Sequence, residues 1–207
     1  LRLAVIGFHA GVSENVDCDL DWRGRLVGHF PSGENGSDWG DLTIATKIGV
    51  VGENGTCPAM GFRTSVKLPN TTYLPYKLGT DQTDFTVHAL ASKHFQDLET
   101  RLNLGLGILG NPRETGSQDD IYMYGAAAIL PAPPVASIFL ELYGCTGHLD
   151  DDHKLIARAG IFRESAGVVW NAYGSVRLSG NNQDFGTAFE LSENWSIGIH
   201  VTKEFRL

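Results

Sequence analysis

Residues 98–108 read Leu98-Glu99-Thr100-Arg101-Leu102-Asn103-Leu104-Gly105-Leu106-Gly107-Ile108. Leu98, Leu102, Leu104, Leu106 and Ile108 fall on one side of an extended chain. Glu99, Arg101, Asn103, Gly105 and Gly107 fall on the other. An apolar residue at every second position is the period of a strand, not of a helix. The stretch is longer than the usual strand of about 5–6 residues. It matches the ~9–11 residues that a tilted strand needs to cross a bilayer.

The same alternation recurs to either side. Residues 16–22 set Val16, Cys18, Leu20 and Trp22 against Asp17, Asp19 and Asp21. Residues 42–50 set Leu42, Ile44, Ile48 and Val50 against Thr43, Ala45, Lys47 and Gly49. In 62–68, Phe62, Val66 and Leu68 oppose Arg63, Ser65 and Lys67; in 168–178, Val168, Trp170, Ala172, Val176 and Leu178 oppose Asn171, Tyr173, Ser175 and Arg177. In 195–206, Trp195, Ile197, Ile199, Val201 and Phe205 oppose Ser196, Gly198, His200, Thr202, Glu204 and Arg206. Less regular strands fall near 1–12, 85–95, 121–130, 136–145, 154–163 and 184–191. No stretch keeps the i, i+3, i+4, i+7 spacing of a helix for two turns.

Short turns are expected at 13–15, 53–55, 96–97, 132–134, 164–167 and 192–194, with Asn54-Gly55 as a type I′ dipeptide. Longer connections, rich in Gly, Asn, Asp, Ser and Pro, cover 29–40, 69–83, 110–119, 145–153 and 179–184. The expected fold is therefore one all-β domain over residues 1–207, an antiparallel up-and-down transmembrane β-barrel of about 12 strands. Leu1 rather than Met opens the chain and residues 1–7 already read as strand, which points to sequence before residue 1. One feature is discordant. A short turn at 192–194 lies opposite the C-terminus, whereas outer-membrane barrels put short turns and termini at one end. The stretch 179–191 is the weakest part of the pattern.

Composition narrows the function. Among 207 residues, 16 are Lys or Arg and 24 are Asp or Glu, for a net charge of −8. That excludes a broad electrostatic hold on nucleic acid. An apolar share of 42% with 25 glycines excludes collagen, disorder and a coiled coil. No apolar run approaches the ~20 residues of a transmembrane helix. A mean hydropathy of −0.10 is still compatible with a membrane barrel, whose alternating strands average out. Cys18, Cys57 and Cys145 form no CxxC pair, which excludes a zinc ribbon or thioredoxin motif. One disulfide with one free thiol stays open beside the plainer reading, three unpaired thiols in small apolar positions.

Alternation does not say which face points out. In water the apolar face turns inward; in a bilayer it faces lipid and the lumen is polar. Three features lean towards the bilayer. Charges of both signs are spread over the polar faces: Asp17, Asp19, Asp21, Asp41, Lys47, Arg63, Lys67, Glu99, Arg101, Glu141, Arg158, Arg177, Glu204 and Arg206. Inside a barrel they would neighbour one another, and they are the candidate pore lining. Gly105, Gly107 and Gly198 lie on the same faces, as a crowded interior requires. Trp22, Phe30, Trp39, Tyr73, Tyr76, Phe85, Phe95, Trp195 and Phe205 gather near strand ends, as interfacial girdles do. The stripe Asp17, Asp19, Asp21 places like charges about 7 Å apart, so cations such as Arg63 and Lys67 are expected opposite. Such a lumen is either a charged pore that sets ion preference or a salt-bridged plug.

Other chemistry is thin. Asp150, Asp151 and Asp152 lie between His148 and His153 without EF-hand spacing and read as a solvated loop. Ser92 shares a strand face with His88 and His94, but there is no GxSxG and no assignable acid. No phosphate loop is present. No catalytic residue, metal or cofactor is assigned.

Several runs resemble the bacterial MetA-pathway of phenol degradation group of outer-membrane proteins. These are 37–43 with Gly40-Asp41, 66–70 with Lys67-Leu68-Pro69, and 78–85 with Leu78-Gly79-Thr80 and Thr83-Asp84-Phe85. Residues 103–110 are similar to the group's following strand and 11–16 to its opening hairpin. The likeness covers residues 11–130. The C-terminus departs from the usual final Phe, since Arg206 and Leu207 follow Phe205. The resemblance implies a transporter-like barrel for hydrophobic or aromatic solutes and brings no catalytic residues.

The function expected is a passive channel or transporter for small solutes in a bacterial outer membrane, surrounded by lipid and lipopolysaccharide. The alternatives are a soluble or surface-attached barrel that binds an apolar ligand, and a structural outer-membrane barrel with a filled lumen. Membrane readings need an apolar outer belt; the soluble one needs charged outer faces.

Overall fold

The computed structural model describes residues 2–3, 6–29, 33–76, 78–111, 116–133, 136–147, 153–180 and 194–206, with backbone alone at 2, 3, 29 and 204–206. Among these residues every regular element is a strand: β1 (Arg2–Leu3), β2 (Ile6–Ser13), β3 (Val16–Trp22), β4 (Arg25–His29), β5 (Asn35–Trp39), β6 (Leu42–Val51) and β7 (Ala59–Leu68). They are followed by β8 (Asp84–Phe95), β9 (Leu98–Gly110), β10 (Gln118–Ala132), β11 (Ala136–Gly147), β12 (Lys154–Ser165), β13 (Val168–Gly180) and β14 (Trp195–Arg206).

Eleven strands close into a barrel in the order β2-β3-β6-β7-β8-β9-β10-β11-β12-β13-β14. Consecutive strands pair antiparallel, and β14 closes onto β2 in parallel, from Val201↔Ile6 to Arg206↔Gly11. This corrects the expectation of about 12 antiparallel strands. The parallel seam follows from arithmetic: in an up-and-down meander the first and eleventh strands run the same way.

Two further differences lie at the start of the chain. The stretch 1–12 divides into β1 and β2. The region read as a connection at 29–40 holds β5, which pairs with β4 while β4 pairs with β1, giving a separate three-stranded sheet. Its base is stitched to the barrel by Trp22 stacked on Trp39, with centroids 5.6 Å apart.

The discordance over the C-terminus disappears. β13 pairs directly with β14, Val176 opposite Trp195 and Val168 opposite Lys203. No strand intervenes between them, and the expected strand at 184–191 lies outside the described residues. The connections after β3, β7, β9, β11 and β13 thus share one end of the barrel. Those after β2, β6, β8, β10 and β12, all but the one after β6 shorter, share the other end with the C-terminal end of β14.

The short turns depend on left-handed residues. Between β12 and β13, Ala166 has φ 54° and Gly167 φ 69°. Both central residues therefore take the positive φ of a type I′ turn, whose twist matches the strands it joins. Asn54-Gly55 does not form the expected turn. Gly55 has φ 51°, but the bridge pairs Asn54 with Cys57, so the central residues are Gly55 and Thr56.

Parity settles the sense of the faces. Leu104 is 68% exposed, Ile197 80% and Leu140 55%, and all three point away from the barrel axis. Their polar neighbours point inward, where Lys67 is 3% exposed and Asp84 2%.

The Ala166-Gly167 turn makes a prediction with two signs. Gly167→Val places a β-branched residue at positive φ and lowers the urea midpoint of unfolding, a cost of about 1–2 kcal/mol. Ala166→Gly removes the same strain next door and raises the midpoint. Equilibrium unfolding in detergent, followed by gel mobility, checks both.

Candidate functional site

The inward faces form three charged groups. At the end with the longer connections, Lys67 on β7 meets two carboxylates. Its Nζ lies 2.7 Å from Asp84 Oδ2 and 3.6 Å from Asp41 Oδ2, and donates to Thr80 Oγ1 at 2.6 Å. All of these side chains are buried. Asp41 Oδ1 accepts the backbone N–H groups of Asn70 and Thr71, both at 2.9 Å, and Asp84 Oδ1 accepts that of Gly110 at 3.0 Å. Asp38 Oδ2 accepts the next N–H, from Thr72, at 2.9 Å, and its hydroxyl at 2.7 Å. The connection after β7 is therefore strapped to the barrel rim by two carboxylates and one ammonium. Burial pushes the Asp38 carboxyl up, but the hydrogen bonds from Thr72 and Trp39 outweigh it and hold the pKa below its ordinary value.

In mid-barrel the aspartate stripe of β3 is compensated from both sides. Asp17 lies 3.5 Å from Lys47 Nζ and Asp19 3.5 Å from Arg63 Nε. His9 on β2 sits between them, 2.5 Å from Asp19 and 3.7 Å from Asp17. Asp21 has His200 at 3.9 Å. The expectation for Arg63 holds. That for Lys67 is corrected: it serves Asp84 and Asp41, because Asp84 stands directly opposite it in the β7–β8 register.

On β11–β13, Arg158 lies between Tyr143 and Tyr173, its guanidinium carbon 4.7 and 4.5 Å from the two ring centroids. Its Nη1 donates to Glu141 Oε2 at 3.2 Å and its Nη2 to the Tyr143 hydroxyl at 2.8 Å.

Two of the cavities within the barrel share part of their lining. One of about 400 Å³ is lined by Asp21, Arg63, Lys67, His88, Tyr143, Tyr173 and His200 among others. The second, about 550 Å³, is nearer the short turns and combines Arg101, Asn103, Glu141 and Glu164 with Ile129, Phe139, Phe162 and Val169. Arg158 and Asn171 line both.

The remaining candidates lie further out. Glu99 binds Arg101 two residues along the same strand, at 2.6 Å, and Arg101 is well exposed. Arg177 hydrogen-bonds Asn194. Glu204 and Arg206 fall on β14, but their side chains lie outside the described residues, as do His148 and Asp150–Asp152. His153 Nε2 is 2.9 Å from Ser179 Oγ. His94 is held by Glu53 at 2.7 Å rather than by Ser92. None of the three cysteines forms a disulfide; Cys145 is buried, but Cys57 is exposed in a turn and fills no apolar position.

Asp84 and Thr80 were not among the candidate lining residues. They do fall within the run 78–85, and Asp84 shares the inward parity of His88 on β8, which is the signal that could have found them. His9 carried no such signal, because its strand alternates weakly. The chain matches no family model, no curated protein and no solved structure.

Removing the strap's cation should cost more than removing any exposed ion pair. Lys67→Met leaves two buried carboxylates uncompensated, a loss of about 3–5 kcal/mol in unfolding experiments. It also exposes Tyr73 to chymotrypsin in the folded protein. Asp41→Asn with Asp84→Asn in the same chain should recover part of the loss.

At the short-turn end Glu53 is bound by Lys93 at 2.9 Å and His94 at 2.7 Å. These hydrogen bonds lower its pKa from 4.5 to about 2. The folded protein thus favours ionised Glu53, a contribution complete above pH 4.5 and lost as pH falls towards 2. The thermal midpoints of wild type and Glu53→Gln should differ at neutral pH and converge at the acid end of that window.

Proposed function

We propose that this chain is a bacterial outer-membrane β-barrel through which small solutes pass passively. One observation carries the reading: the faces that alternate outward are apolar around the barrel, and the charges point in. Ile44, Phe62, Leu104, Leu140, Ile161, Trp170, Val176 and Ile197, on seven different strands, are each more than two-fifths exposed. At about 25 cal/mol per Å² such a belt is costly in water and costs nothing in hydrocarbon.

The dimensions agree. Strands of 12 residues such as β8 and β11, at ~3.3 Å per residue and ~40° of tilt, rise about 30 Å, enough for an outer-membrane belt. Outward aromatics stand at two levels. Phe85, Tyr122 and Trp195 are near the end with the longer connections, and Phe95 and Trp170 near the short turns. That is the arrangement of interfacial girdles. Short turns at one end and longer connections at the other follow the same pattern.

Passage, rather than a filled lumen, is supported by the two cavities. Their size limits solutes to small molecules. The resemblance to the phenol-degradation group adds hydrophobic or aromatic solutes, for which Ile129, Phe139, Phe162 and Val169 offer an apolar wall. No chemical step is part of this reading. A soluble barrel with an apolar interior would need the opposite sense of every face.

Heat modifiability and localisation test it. The unboiled protein should run faster than the boiled one on an SDS gel, float with outer-membrane vesicles, and make liposomes leak small solutes. A chain that stays soluble without detergent and shows no mobility shift would overturn the reading. Leu104→Arg, at the middle of β9, should reduce stability in bilayers by about 2–4 kcal/mol, the cost of a cation at the membrane midplane.

A further inference from the structure

The two lumenal cavities meet at Arg158 and Asn171, which line both. Arg158 is held on several sides. Tyr143 and Tyr173, from the strands on either side, flank its planar group at 4.7 and 4.5 Å. Glu141, its direct register partner on β11, accepts from Nη1 at 3.2 Å. The Tyr143 hydroxyl accepts from Nη2 at 2.8 Å. The neighbouring strand makes room for the second ring. Gly198 stands opposite Tyr173 in the β13–β14 register, and a Cβ there would come within 2.6 Å of the tyrosine hydroxyl.

We propose that the Arg158–Glu141 pair is the charge-selecting element of the lumen and decides how evenly anions and cations pass between the two chambers. This rests on the reading of the barrel as a passive channel. Arg158 belongs to the walls of both chambers, so a solute that moves between them comes close to its side chain. There it meets a guanidinium whose Nη1 donates to the Glu141 carboxylate at 3.2 Å. The elements around the pair add Asp21 and Arg63 from β3 and β7, His88 from β8, His200 from β14 and Lys67 with Asp84 at the rim. Most of these charges are engaged with partners of their own. The pair is therefore balanced, and either member alone would leave one charge facing the passing ion. A charge at a few ångströms, partly screened from bulk water, acts strongly on an ion. The tyrosines are positioning residues: rings on both faces keep the guanidinium flat against the wall.

The test is ion selectivity in planar lipid bilayers under a KCl gradient, read from the reversal potential. The wild type should pass both ions nearly evenly. Arg158→Gln exposes Glu141 and should move the permeability ratio towards cations by about threefold or more, and Glu141→Gln should move it as far towards anions. The double variant should return close to the wild-type ratio. Arg158→Lys keeps the charge without the planar stack and should stay near it too. If Arg158→Gln fails to reach the heat-modifiable folded form, Glu141→Gln, which preserves side-chain size, decides alone. A conducting wild type whose Glu141→Gln variant keeps the original ratio, or single variants that shift in the same direction, would overturn the assignment and leave the channel reading intact. A folded wild type that carries no current would overturn both.

Discussion

Closure is the constraint on which everything else depends. Each of the eleven barrel strands hydrogen-bonds a neighbour on both sides, so no open edge of the barrel has to be shielded along its paired length. A closed sheet has only an inside and an outside, and strand parity assigns each residue to one of them. A slip of one residue in any pair would exchange the two sets. The register Asp19↔Ala45, Ala45↔Ser65, Ser65↔Thr86 keeps four small or polar side chains in the lumen across four strands. Their sequence neighbours Leu20, Ile44, Val66 and Phe85 meet on the outside in the same register. The apolar belt and the charged lumen are one fact seen from two sides.

The lumenal charges do not all do the same work. Pairs in the mid-barrel ladder, such as Lys47–Asp17, keep a quarter to half of their surface exposed. Ion pairs with that much water contribute on the order of 0–1 kcal/mol. Lys67, Asp41 and Asp84 keep between none and 3%. There each charge needs its partners, and backbone N–H groups supply the remaining hydrogen bonds. The buried set fixes where the connection after β7 lies. The ladder leaves its charges within reach of water. A barrel that kept only the buried kind would be a rigid plug.

Much of this was legible in the sequence because the governing period is short. Two-residue alternation identified the outward faces of β3, β6, β7, β9, β13 and β14, and with them the inward parity of Asp17, Asp19, Lys47, Arg63 and Lys67. The strand count failed where alternation is absent. β4 and β5 carry Gly28 and Gly36 and bury only part of a face, so they read as loop. The parallel seam was hidden because pairing between the two ends of a chain leaves no local trace. Partner choice was hidden for a similar reason. Parity placed Lys67 inward, but only the register put Asp84 directly opposite it. The motif Lys67-Leu68-Pro69 and the run ending Asp84-Phe85 were quoted as a family likeness; in space their charged members are one cluster. Glu53, on a turn, had no periodic signal at all.

Near the end with the longer connections the described interior departs from polarity. Leu109, Ile121, Cys145 and Ile156 point inward on β9 to β12 near the end with the longer connections, and none is more than 3% exposed. Met123 and Tyr143 pack against them. At the same level on β6 to β8 stands the buried Lys67 cluster. The rim is thus closed by apolar packing on one arc and by a neutralised ion cluster on the next. Neither arc offers water to a solute. The polar lining that remains runs from Asp21 past His200 and Tyr173 to Arg158. Below Arg158 the wall changes character, with Phe139 and Phe162 facing Arg101 and Asn103. A solute moving down the barrel would leave a chamber dominated by charge for one that is half apolar. Arg158 stands at that change: its ring partners Tyr143 and Tyr173 line the charged chamber, and its carboxylate partner Glu141 lines the half-apolar one.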